Sequence, residues 1–186
     1  MSELELDPDL LATLQALGTH RVEFVLVGDV AHAIYNHGGF VSGVAIVPGG
    51  YGRNVERLYG ALESLGAELG IAGRPDPRGL DWRREDLRNI APCSFMTRHA
   101  DIDIDFQPAG TNGYRDLFQD ADRCELSAGV RPHVASLEDL ERLSHGAAFA
   151  NYAPPPALPP AALPPEPDDW LDEDIRASRT GTPHRR

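Results

Sequence analysis

The chain reads as short apolar runs of strand period alternating with stretches in which apolar residues recur at helical spacing. Asp7-Pro8-Asp9 supplies a capping acid and a first-turn proline. Leu10, Leu11, Leu14 and Leu17 follow at helical spacing, so a first helix is predicted, ended by Gly18. Residues 22–27 are almost continuously apolar and rich in β-branched side chains, the mark of a central strand covered on both faces. Gly28-Asp29 then turns tightly into a helix over residues 30–35. Residues 41–48 read as a second strand closed by Pro48-Gly49-Gly50. Asn54 is expected to cap a helix that carries Leu58, Leu62 and Leu65 on one face and stops at Gly66. Residues 71–91, crowded with glycine and proline before Trp82, predict a long loop or short arm. Residues 95–106 predict a third strand or a hairpin leading into it, and residues 114–121 a helix. Residues 130–134 predict a short edge strand, because Pro132 has no N–H for a ladder. Ser136 is expected to cap a last helix from Leu137 to about Ala150.

Within the third strand, Asp101, Asp103 and Asp105 alternate with Ile102, Ile104 and Phe106, so a strand sends the carboxylates to one face and the apolar side chains to the other. Three carboxylates on one face repel one another unless water solvates them or a cation binds. Two readings follow: a solvated strand face, or a divalent-metal or acid/base site. His99 could join Asp101 in the second, and Arg98 could pair with Asp103 or Asp105 and relieve the repulsion without a metal. His32 and His37 lack the i, i+4 spacing of a helical metal pair, and Ser42 and Ser136 have no histidine–acid pattern around them.

Beyond Tyr152 the composition changes. Closely spaced prolines from Pro154 to Pro167 favour extended polyproline II over a packed core, and the acidic run 168–174 and the basic end His184-Arg185-Arg186 follow. The expectation is an α/β domain over residues 1–152, a small mixed sheet flanked by helices, with a disordered Pro-rich acidic tail over 153–186. Trp170, Leu171 and Ile175 are candidates for a short docking helix.

Of the 186 residues, 29 are acidic and 17 basic, all of the latter arginine, for a net charge of -12. Such a surface argues against non-specific nucleic-acid binding. Cys93 and Cys124 match no ligand or redox spacing and read as reduced, core-associated thiols. With no basic apolar leader and no bilayer-length apolar run, the expectation is a cytoplasmic protein.

The succession 24–31 with its strand, Gly28 and Asp29, the strand ending Ile46-Val47-Pro48, the helix from Asn54, Asp101-Ile102-Asp103 before Pro108-Ala109-Gly110, and Val134 to Leu140 near the end resembles a nucleotidyltransferase of the DNA polymerase β superfamily. It is most similar to small bacterial nucleotidyltransferases grouped with AbiEii-type toxins, over residues 10 to 145. The resemblance implies two glycines holding nucleotide phosphates, two alternating aspartates binding magnesium, and a third aspartate that helps activate the attacking hydroxyl.

This sequence departs from that pattern at its chemistry. Gly28 matches the first glycine, but Asp29 stands at the second and sets an anion at the phosphate cradle. The aspartate pair falls on Gly43 and Ala45, the usual upstream arginine and threonine on Gly39 and Val41, and only the third carboxylate, Asp103, remains. The resemblance therefore implies a degenerate enzyme acting as a protein- or nucleotide-binding module in a toxin–antitoxin or phage-defence context. An alternative keeps transfer of a nucleotide to RNA or protein, with magnesium or manganese held by Asp101, Asp103 and Asp105 helped by Asp29. A third reading places function in the tail, as a ligand for an arginine-rich or proline-reading partner.

Overall fold

The computed structural model describes residues 6–36, 38, 41, 43–71, 74–75, 83–84, 86–127 and 129–146. The readings placed on His37, Gly39, Ser42, Trp82 and the tail, including the helix about Trp170, lie outside the described residues. The chain divides into two units, Met1–Ala150 and Asn151–Arg186, and the description below concerns the first.

This unit is α/β, a mixed sheet flanked by helices. Its elements run α1 (Pro8–Thr19), β1 (Phe24–Val27), α2 (Gly28–Asn36), β2 (Gly43–Pro48), α3 (Gly52–Ser64), β3 (Glu68–Ile71), β4 (Arg74–Pro75), α4 (Leu87–Ile90), β5 (Cys93–Met96), β6 (Asp101–Ile104), α5 (Tyr114–Gln119), β7 (Asp122–Arg123), β8 (His133–Val134) and α6 (Leu137–Gly146). The eight strands lie in the order β4-β3-β5-β6-β2-β1-β8-β7. β2 pairs with β6, and β1 with β8, in parallel; the other pairs are antiparallel.

β1 is interior, as its unbroken apolar run predicts, and its Val25 and Leu26 are fully buried. One sheet face carries Val44, Ile46, Phe95, Ile102 and Ile104, all at most 1% exposed. The leucines of α1 and α3 join the same core cluster, the two helices pack on each other, and α1 reaches β2. Burying one such leucine contributes about 2 kcal/mol. Thr13 of α1, itself fully buried, ties the start of β6 down by accepting from the Ala100 N–H at 3.2 Å.

Several expectations are corrected. α1 runs through Gly18 to Thr19, and the chain turns at Arg21, whose φ is +55°. Asn54 lies inside α3 rather than at its cap, which is Tyr51. Its buried amide accepts from the Glu23 N–H at 2.7 Å and donates to the carbonyls of Glu23 at 2.8 Å and Gly49 at 2.9 Å, stapling α3 to the chain entering β1. The stretch expected to be a long loop or short arm opens with the last residue of β3, includes β4, and ends with α4 and Ala91. β8 is not an edge: its strand begins after Pro132, and β7 covers it. The predicted hairpin is present as β5–β6, and Ser136 accepts from the Asp139 N–H at the start of α6. Among the described residues no helix is long and apolar enough to cross a membrane.

Candidate functional site

Register fixes the arrangement. Val27 of β1 lies opposite Ala45 of β2, Ala45 beside Asp103 of β6, and Asp103 opposite Ser94 of β5. Paired residues project from the same face, so these four form one row across the sheet. One step along, Gly43 lies beside Asp101. β1 ends here at Val27, and α2 begins with no intervening residue at Gly28, whose φ of +68° is a left-handed conformation suited to glycine. A Cβ at Gly28 would come 3.0 Å from the Ala45 Cβ, so the strand-to-helix turn is seated directly over the row.

Gly28, Ala45 and Asp103, singled out by sequence, therefore come together at one end of the sheet. Asp29 is exposed in the first turn of α2, where its charge suits the helix dipole and opposes a phosphate. Gly43 is packed so closely that a Cβ there would stand 2.9 Å from the Asp101 carbonyl oxygen. The position expected to bear a metal-binding acid thus has no room for a side chain unless the strands move.

The acidic ladder is shorter than the alternation predicts. Asp101 is half-buried and Asp103 exposed, while Ile102 and Ile104 between and beyond them are sealed in the core. Asp105 lies past the end of β6, and its carboxylate accepts from the Gln107 N–H at 2.9 Å in a local turn that competes with the strand. Asp103 accepts a hydrogen bond from the Ser94 hydroxyl. Ser94 is the residue that sequence reasoning missed at this site; it lies one residue before the predicted hairpin, whose first arm, β5, starts at Cys93.

The neighbouring cation and histidine are engaged elsewhere. Arg98, one candidate partner for Asp103 or Asp105, donates instead to the carbonyls of Ser64, at 2.5 Å, and Leu65, at 3.3 Å, closing the end of α3. His99 lies 2.9 Å from Asp9 of α1 through Nδ1, not beside Asp101. Cys93 and Cys124 are free and partly buried. Burial, then the charges of Asp103 and Asp105, push the Cys93 thiol up to about 12, so it is a protonated packing group.

A two-cation centre does not fit these side chains. Gly43 and Ala45 offer no ligating side-chain atoms, and among the described residues no three His, Cys, Asp or Glu side chains are grouped to hold an ion. What the row offers is one solvated carboxylate, a hydroxyl donating to it, and a glycine-entered helix start above a methyl group. No family model and no curated protein matches the sequence.

Proposed function

We propose that this chain is a nucleotidyltransferase-like protein that has lost nucleotide transfer and serves as a binding module for a protein partner or a nucleotide, in a toxin–antitoxin or phage-defence setting. The observation that carries this reading is the register of Ala45 on Asp103 and Gly43 on Asp101, immediately below Gly28. The resemblance calls for an aspartate pair where a methyl group and a bare backbone stand. Phosphoryl transfer depends on cations that neutralise the phosphates and align the attacking and leaving oxygens, and one carboxylate cannot assemble that charge. The alternative, a relocated site on Asp101, Asp103 and Asp105, is disfavoured by the separate commitments of the last two to Ser94 and Gln107.

The test is calorimetric titration of the full chain with ATP, GTP, CTP and UTP, with magnesium or manganese present, beside Asp103→Asn. The expected result is no heat that requires both the cation and Asp103. Metal-dependent binding that disappears in Asp103→Asn would mean that the acidic strand has rebuilt a nucleotide site, and NTP turnover at that site would overturn the reading.

A further inference from the structure

A concavity lies at the opposite end of β1 from Gly28. It is a cleft of about 840 Å³ lined by the chain entering β1 (Val22, Glu23, Phe24), one side of α1, α5 and the β7–β8 region, and none of the residues of the Gly28–Asp103 row contributes to it. Its volume falls within the range of small-molecule sites, about 300 to 1,000 Å³. Leu14, Val22, Phe24 and Val130, each at most 8% exposed, give it an apolar base.

The wall is a run of flat groups ending in a cation. Tyr114 and Phe118, one helical turn apart on α5, have ring centroids 5.2 Å apart with planes tilted by 33°, and the Phe118 ring centroid lies 4.6 Å from that of the His133 imidazole at a tilt of 57°. His133 is the register partner of Arg123 on β7. Burial, and then the Arg123 charge, holds His133 below its ordinary value, so the imidazole is neutral at pH 7.

The charges at the cleft divide into spent and unspent. Arg131 is paired with Glu125 at 2.8 Å, and Glu23 is held by Arg57 at 3.2 Å and by the Tyr51 hydroxyl. Arg123 is exposed and forms no ion pair among the described residues. Phe118 is 40% exposed although it is a large apolar ring. An exposed guanidinium without an ion pair among the described residues, beside a partly exposed aromatic cluster, complements one chemistry: a flat ring for the cluster and an anion for the fork of the arginine.

We propose that this cleft binds a small ligand made of a flat aromatic ring bearing a negatively charged group, the ring on Phe118 and the anion on Arg123. A nucleoside monophosphate and an aromatic carboxylate share that chemistry, and the site is independent of the acidic face.

The test is titration of the full chain in EDTA with AMP, GMP, CMP and UMP, and with 4-hydroxyphenylacetate. Adenosine serves as the ring without the charge and ribose 5-phosphate as the charge without the ring. At least one ring-bearing anion should bind, with both half-ligands about tenfold weaker or worse. Arg123→Gln and Phe118→Ala, both at exposed positions, should each weaken it about tenfold, as loss of a charged hydrogen bond or a stacking face does. Preference for the monophosphates would assign a phosphate ligand, and preference for the carboxylate an aromatic acid; either supports the site. Binding should be unchanged in Asp103→Asn, which separates this result from any nucleotide site on β6. The proposal is overturned if no ring-bearing anion binds at millimolar concentration, if binding survives either cleft substitution unchanged, or if Asp103→Asn abolishes it.

Discussion

Ala45 and Asp103 stand side by side on parallel strands, a methyl group against an exposed carboxylate, directly under the turn where β1 enters α2. The pairing puts the position where the resemblance calls for an acid beside Asp103, so the consequence of placing an acid there can be stated.

Ala45→Asp would set two carboxylates in register. Like charges at such a position destabilise by about 1 kcal/mol, and a divalent cation bridging them would offset that loss. Urea denaturation of Ala45→Asp should therefore show a lowered midpoint in EDTA that recovers in millimolar manganese, while the natural sequence shows no manganese effect. A manganese-dependent midpoint in the natural sequence would contradict the account. Gly43→Asp should not be rescued, because the 2.9 Å approach of its Cβ to the Asp101 carbonyl pushes the strands apart before any ligand forms.

Asn54 holds three backbone groups with one buried amide, 31 residues from Glu23 in sequence. Asn54→Ala leaves those groups without their partner and should cost about 2 to 4 kcal/mol by urea denaturation. Asn54→Asp should be nearly as damaging, because a carboxylate can accept from the Glu23 N–H but cannot donate to the two carbonyls. A change below about 0.5 kcal/mol in Asn54→Ala would show that the staple carries no stability.

His133 sets a pH dependence. Its folded-state pKa lies below the ordinary 6.5, first through burial and then through Arg123. Below pH 6.5 the unfolded chain therefore binds a proton that the folded chain refuses. The stability from this group is present above pH 6.5 and is lost as pH falls below it toward the depressed folded value. The urea midpoint should fall from pH 7 to pH 5, and the slope of that fall should be shallower in His133→Gln. An unchanged slope would contradict the assignment.

The legible parts of the fold were those where local pattern and tertiary role agree. The apolar run at Phe24–Val27, the leucine spacing of α1 and α3, and the alternation in β6 each state their own burial. The illegible parts depend on partners distant in sequence. Asn54 near a helix start is read as a cap by any local rule, and its bond to Glu23 across the fold overrides that rule. Arg98 beside three aspartates suggests an ion pair, yet it serves carbonyls at the end of α3. β7 is two charged residues, Asp122 and Arg123, with no apolar pattern to announce a strand, and so β8 was expected at the edge. At the candidate site, Gly28, Ala45 and Asp103 were brought together by the nucleotidyltransferase resemblance, whose motif positions fall on them. Ser94 was not, because the register of the hairpin decides which of its residues faces Asp103.

The most direct test of the central claim is incubation of the purified full chain with radiolabelled NTPs and magnesium or manganese, with RNA and protein acceptors supplied. The account predicts no transfer of label and no NTP turnover above background, in the natural sequence and in Asp103→Asn alike. Turnover in the natural sequence that is lost in Asp103→Asn would contradict it, and would show that the acidic strand performs catalysis without the aspartate pair.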